Sequence, residues 1–282
     1  MSTSPDPTPS AEAPEPPESP ESPQSPGAAD GTDSMDAEFD TVARWTAEVV
    51  AGLEPAQRIP AGCRGSGSPG ALHWLLDHLA PRRDQVFLDC GAGVGGPAAF
   101  AARETGVRPV LTDPEPGACR AARSLFGLPA LQAGTQLPIA TGAVELGWSL
   151  GVLCTVDDQP AYLAEIRRVL SPEGRFGLIV YCASHEGQLR LEAPEGNDFP
   201  TVEALDSMLD RASLRTLDSG WTDHFAAFPA DWEDVMDTVQ AQLERRHGDD
   251  PRWLTAEEQS GRMGALLAAG EVRGRMLVLE PT

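Results

Sequence analysis

A doubly wound α/β fold, with one mostly parallel sheet covered by helices on both faces, is predicted from three observations. Short apolar runs alternate with helical stretches of ten or so residues between about residues 85 and 182. That order specifies parallel strands, because parallel neighbours need crossover helices to join them. Closely spaced glycines follow the first of these runs directly, as a strand-to-helix turn requires. Two further apolar runs, near 215–221 and 274–280, bring the strand count to seven, with amphipathic helices between them.

The elements follow in chain order. Nine of the 26 prolines lie within the first 26 residues, and residues 1–43 hold ten carboxylates and no basic residue. A segment this poor in apolar side chains cannot offset roughly 1–2 kcal/mol of backbone entropy per ordered residue. Residues 1–36 are therefore expected to be a disordered Pro/Ser/Glu-rich tail; its four Ser-Pro steps are compatible with phosphorylation or with a plain solvated leader. Phe39, Val42, Trp45, Val49 and Val50 recur at helical spacing, so order begins near Asp36 and a single domain spans 37–282.

N-terminal helices occupy 37–80, interrupted by a loop over 59–70 and ending in a helix at 71–80. The core, 84–182, reads as strand 85–90, helix 95–105, strand 108–113, helix 115–125, a short strand near 129–133, strand 144–149, helix 159–169 and strand 174–182. Residues 183–282 form a substrate and cap region: a loop to 201, a helix at 202–213, the sixth strand, helices at 230–246 and 255–269, and the last strand. The stripe of Trp232, Val235, Met236, Val239, Leu243 and Leu254 is expected to pack on the domain, making the small helical cap.

Charge and composition remove several function classes. Of the net charge of −22, residues 1–43 supply −10, leaving −12 for the remainder, and all 21 basic residues are arginine. An acidic chain without lysine is a poor nucleic-acid binder, because that affinity rests on neutralised phosphates. No apolar run approaches the ~20 residues that span a bilayer, and no basic and apolar secretory leader opens the chain. The five cysteines are odd in number and contain no C-x-x-C, which points to a reducing cytoplasm with neither a disulfide framework nor a metal site. A small-molecule substrate is the partner left; the oligomeric state is open.

The segment VFLDCGAGVGGPAAFAA, residues 86–102, carries the chemistry. A strand ending at Asp89–Cys90 turns through Gly91, Gly93 and Gly95 into an alanine-rich helix. Side chains would block a ligand lying across the strand end, and the helix aims free N–H groups at it. Gly91, Gly93 and Gly96 also satisfy G-x-G-x-x-G, so a dinucleotide and an NAD-type oxidoreductase remain an alternative. Asp89 argues for a cationic ligand, since a carboxylate beside a pyrophosphate is repulsive. Asp113, at the end of the second strand, suits ribose hydroxyls or an N-cap for the following helix.

D-x-G-x-G-x-G at Asp89, Gly91, Gly93 and Gly95 resembles motif I of class I S-adenosylmethionine (S-adenosyl-L-methionine, AdoMet)-dependent methyltransferases. The segments 131–152 and EIRRVLSPEGRFGLIVY, 165–181, resemble later motifs of the same family, most closely its small-molecule (type 11-like) branch. The resemblance implies a Rossmann-like seven-stranded sheet with an antiparallel last strand. It also implies an adenine contact at Ala133 and Gly134, where the family often has Asp at the former, and methyl transfer to an oxygen, nitrogen or carbon atom of a small metabolite. A catalytically silent AdoMet-binding or regulatory protein is a second reading.

Brought to the strand ends by this fold are Ser149, Leu150, Gly151, Val152 and Cys154, with Tyr181, Cys182, His185 and Glu186 opposite. His185 is the candidate general base, with a surface loop histidine as the alternative. Cys154 reads as a packing residue, His224 as a remote candidate and Trp148 as core, with a cation–π contact to the sulfonium as its other reading. Arg64, alone in a glycine-serine loop, is a candidate partner for the cofactor's carboxylate or an acidic substrate, or a solvated arginine.

Overall fold

The computed structural model describes Met1, residues 36–63 and residues 68–282. The expected disordered tail falls outside the described residues except at Met1 and Asp36, and so does Arg64.

Seven strands form one sheet: β1 (Val86–Cys90), β2 (Arg108–Asp113), β3 (Ala130–Gln132), β4 (Val144–Leu150), β5 (Leu170–Ala183), β6 (Leu214–Trp221) and β7 (Val272–Pro281). Their order is β3-β2-β1-β4-β5-β7-β6. The first five pair in parallel, and β7 runs antiparallel between β5 and β6. The doubly wound sheet with its reversed last strand is thus present. Strand order changes direction between β1 and β4, so a crevice opens beyond the C-terminal ends of those two strands.

Alternation along β1 sends Leu88 and Cys90 to one face of the sheet and Phe87 and Asp89 to the other. The first face is covered by α6 (Gln159–Val169) and α7 (Val202–Arg211), with Leu163, Ile166 and Leu205 against Phe176 and Leu178. The second is covered by α3 (Pro69–Leu79) and α4 (Gly96–Thr105), where Leu72, Leu75 and Phe100 meet Phe87, Trp148 and Met276. α5 (Pro116–Phe126) crosses from β2 to β3.

A third apolar cluster builds the helical cap. Val42, Trp45 and Val50 of α1 (Val42–Val50) and Ala61 of α2 (Pro55–Gly62) pack with Val239 and Leu243 of α8 (Ala230–His247) and Trp253 of α9 (Pro251–Ala268). Trp45 lies flat on His247, ring centroids 3.9 Å apart, with the Arg252 guanidinium 5.2 Å from its ring. Trp232, Val235, Val239 and Leu243 are buried as expected, whereas Leu254 is 56% exposed.

Three boundaries differ from the sequence reading. α2 takes up the start of the expected 59–70 loop: Glu54 and Gln57 form a reciprocal capping box, Pro55 suits the first turn, and Pro60 is tolerated in so short a helix. α9 begins at Pro251 because Asp250 caps it, accepting the Arg252 N–H at 2.9 Å. β5 begins at Leu170, which pairs with Val144 ahead of a register shift. Among the described residues no helix is long and apolar enough to cross a membrane.

Candidate cofactor and active site

The glycine turn leaves β1 with three left-handed glycines, Gly91, Gly93 and Gly95, at φ +72, +54 and +89°. Each is required for a different reason. A Cβ on Gly91 would stand 2.3 Å from Val152 Cγ2, and one on Gly95 would press on Ala122 and Leu111 at 3.0 and 3.1 Å. A Cβ on Gly93 would meet nothing within 4 Å, so this residue faces open space at the crevice. Gly91 and Ala92 donate to the Thr112 carbonyl at 2.8 and 3.1 Å, which ties the turn to the end of β2.

Asp113 touches the turn directly. Its Oδ2 accepts the Gly93 N–H at 2.8 Å and its Oδ1 the Glu115 N–H at 2.9 Å, so it braces the glycine turn and the loop ahead of α5; the N-cap of α5 is Glu115, not Asp113. Burial pushes its pKa up, against the Glu115 and Gly93 N–H groups, and the charge of Asp40 adds to the rise. A carboxylate has about four acceptor positions, so two N–H bonds leave room for two hydroxyls. Asp40, which the sequence reading missed, accepts the Gly117 N–H at the start of α5.

Asp89 is 1% exposed, and its Oδ2 has no hydrogen-bond partner among the described residues. Burial pushes its carboxyl up to about 7; the neighbouring Trp148 indole holds it down and the charge of Asp113 raises it. The indole acts from outside hydrogen-bonding geometry, since Trp148 Nε1 is also unpartnered. An unsatisfied buried acceptor beside an open glycine suits a cationic N–H donor. These residues fit S-adenosylmethionine: Asp89 for its ammonium, Gly93 for close backbone approach, Asp113 for its ribose.

The remaining predicted cofactor residues divide. Ala133 donates its N–H to the Asp113 carbonyl at 3.0 Å, and exposed Gly134 follows it, so the end of β3 stands next to the second aspartate. Ser149, also expected against the cofactor, stands near the end of β4 with its hydroxyl buried and bonded to Tyr162 at 2.8 Å. The described residues on either side of 64–67 are placed as follows. A Cβ on Gly96 would fall 2.2 Å from the Gly62 carbonyl, so the end of α2 rests on the start of α4. Ser68 caps α3 by accepting the Ala71 N–H at 3.2 Å.

His185 stands just past β5, its side chain 42% exposed. Its Nε2 is 3.6 Å from Glu271 Oε2 and its Nδ1 is 3.3 Å from the Glu186 carbonyl, so both nitrogens face acceptors. Glu271 immediately precedes β7 and is buried; it takes the Arg190 N–H at 2.9 Å and the Arg190 guanidinium. The Arg190 N–H, then its guanidinium and the His185 charge, hold the Glu271 carboxyl below its ordinary value against burial. Glu271 escaped the sequence reading because only the antiparallel return of β7 brings it to His185.

Loop 183–201 is tied over the strand ends. Asp198 donates its N–H to the Cys154 carbonyl at 2.8 Å, Gln159 donates to the Asp198 carbonyl at 2.8 Å, and Glu195 donates to buried Gln259 at 2.8 Å. Beneath it, Cys154, Phe199 and Leu266 pack with Tyr181 and Met263. Burial pushes the Cys154 thiol up to about 12, in keeping with a packing role. Trp148 is core, and His224 is exposed beside Asp223. All five cysteines are free and buried. Among the described residues no group of three or more His, Cys, Asp or Glu side chains is placed to hold a metal ion.

A family profile described as a methyltransferase domain matches residues 88–178, the stretch from β1 into β5 that contains the glycine turn and both aspartates. No curated protein sequence matches this chain. Among solved structures, that of the (4+2)-cyclase SpnF is 18% identical with a TM-score of 0.65, over 88% of this chain and 96% of that one. Phosphoethanolamine N-methyltransferase 2 of Haemonchus contortus, in complex with phosphomonomethylethanolamine and S-adenosylhomocysteine, is 14% identical with a TM-score of 0.64, over 91% of this chain and 62% of that one. Geranyl diphosphate C-methyltransferase of Streptomyces coelicolor A3(2), in complex with S-adenosylhomocysteine, is 13% identical with a TM-score of 0.53, over 75% of each chain. At these identities the likeness is one of fold. The matched domain and the aspartate-flanked glycine turn within it add the chemistry: residues 88–178 match a methyltransferase domain, and the chain resembles class I S-adenosylmethionine-dependent methyltransferases of the small-molecule branch.

Proposed function

We propose that the protein transfers the methyl group of S-adenosylmethionine to an oxygen, nitrogen or carbon atom of a small metabolite by in-line displacement. The observation that carries this reading is the buried, unpartnered carboxylate oxygen of Asp89 beside the open face of Gly93. When bound, the cofactor supplies an electrophilic methyl on a sulfonium. The chain's own residues then bind and orient. Asp89 takes the ammonium, Asp113 the ribose hydroxyls, Ala133 and Gly134 the adenine edge, and Arg64 the cofactor's carboxylate or an acidic substrate.

Water exclusion falls to loop 183–201, which is tied to the end of β4 through Cys154. Orientation alone is worth roughly 7–11 kcal/mol. A general base adds about 10²–10⁴-fold, some 3–5 kcal/mol, so the reaction does not depend on one. His185 serves as base by turning one nitrogen from its present acceptor, Glu271 or the Glu186 carbonyl, toward the substrate. The free thiols support a reducing cytoplasm as the working compartment.

Calorimetry with S-adenosylmethionine and S-adenosylhomocysteine, followed by labelled-methyl transfer to a panel of phenols, amines and carboxylates, tests the proposal. Binding with transfer to one acceptor class is expected; no heat with either nucleoside overturns it. A second reading, cofactor binding without methyl transfer, is favoured by the likeness to a structure named for a cyclase. Binding with no turnover on any acceptor would select it.

A further inference from the structure

Asp89 and Trp148 are register partners on β1 and β4, side by side on the sheet face that packs against α3 and α4. Each carries a buried polar atom without a hydrogen-bond partner, Asp89 Oδ2 and Trp148 Nε1. An indole N–H can only donate and an ionised carboxylate can only accept, so the two unmet groups are complementary. Trp148 is held rigidly: it is fully buried, with its ring edge-on to Phe87 at 4.8 Å and 86°. If filling space were its whole purpose, a buried indole would be a poor choice, because its N–H normally finds a partner.

The geometry points to Trp148 as a positioning residue of the cofactor site: its indole N–H steers the Asp89 carboxylate and leaves the remaining acceptor positions for the ammonium group of S-adenosylmethionine. This rests on the reading of Asp89 given above. The titratable groups that bear on Asp89 are Asp113 from β2, Cys63 from the end of α2, Cys90 beside it on β1 and Tyr162 from α6. All four are anionic when ionised and none assists the Asp89 charge. Burial and Asp113 oppose the carboxylate, and the indole favours it. A ligand ammonium therefore draws a proton from Asp89 at low pH, and affinity falls as pH drops. Without the indole, that fall begins at higher pH.

The experiment is a calorimetric titration of wild type and Trp148→Phe with S-adenosylhomocysteine from about pH 5.5 to about pH 8.5. Methylthioadenosine, which shares the nucleoside and thioether but has no amino-acid part, is the control. The variant's profile is expected to move up by about half a pH unit or more, weakening binding at neutral pH roughly threefold to tenfold, with the control ligand unaffected. Identical profiles overturn the assignment. So does an equal loss for both ligands at every pH, which is a packing defect. If neither ligand binds wild type, the cofactor reading fails instead.

Should Trp148→Phe not fold, the indole N–H resonances of wild type and Asp89→Asn decide the matter by nuclear magnetic resonance. One of the six indoles should titrate in wild type and stay fixed in the variant. No such difference overturns the assignment.

Discussion

Gly91 and Gly93 stand two residues apart in the same turn, yet the space around them separates a folding requirement from a binding one. Gly91→Ala combines a left-handed backbone with a methyl driven into Val152. It should cost about 2–4 kcal/mol of stability. Gly93→Ala has room and should cost only about 1–2 kcal/mol of strain while sharply weakening S-adenosylmethionine. Urea melts beside calorimetric titrations check the pair, and equal losses on both scales would merge the two roles. Asp113→Ala removes the acceptor for both Gly93 and Glu115. A stability loss of roughly 1–3 kcal/mol, with cofactor affinity lowered by a comparable amount, is expected; an affinity change near zero would leave Asp113 as a brace of the turn alone.

At the level of elements, most of the sheet was legible in the sequence because strand and helix differ in period. α6 and β2 have the bounds that apolar spacing predicts, and the glycine turn lies where β1 runs out. α2 was not legible as a helix, since Pro60 and the following Gly-Ser run mask the capping box that starts it. Glu271 and Asp40 were invisible as site residues for another reason: each acts on a partner more than 70 positions away, through contacts only the tertiary fold creates. Ser149 shows the converse, with a strand-end position read correctly and a side chain turned to Tyr162. In Glu271→Ala, loop 183–201 loses the carboxylate that holds the Arg190 backbone and guanidinium, so trypsin should cut after Arg190 much faster than in wild type. An unchanged digestion rate would show that the Cys154 and Gln259 contacts suffice.

For the molecule as a whole, the buried Asp89 is a liability until a ligand answers it. Its folded pKa, about 7, lies above the unfolded carboxylate value. The unfolded chain therefore releases this proton first, and stability drains away as pH rises between about 4 and about 7, remaining low above that. Asp89→Asn should raise the melting temperature of the ligand-free protein at pH ~8 and change it little at pH ~5, while removing the affinity for the cofactor's ammonium. An equal shift at both pH values would assign the effect to packing.

The reversed direction of β7 has a practical corollary for anyone handling the protein. Because that strand starts at the crevice just after Glu271, it runs out at the opposite rim, where the Thr282 N–H meets the Ser213 carbonyl. The first described turn, by contrast, is docked at the start of α5 through Asp40, next door to Asp113. A fluorescent reporter or affinity handle fused after Thr282 hangs clear of the mouth, whereas the same fusion ahead of Asp36 is delivered to its doorstep.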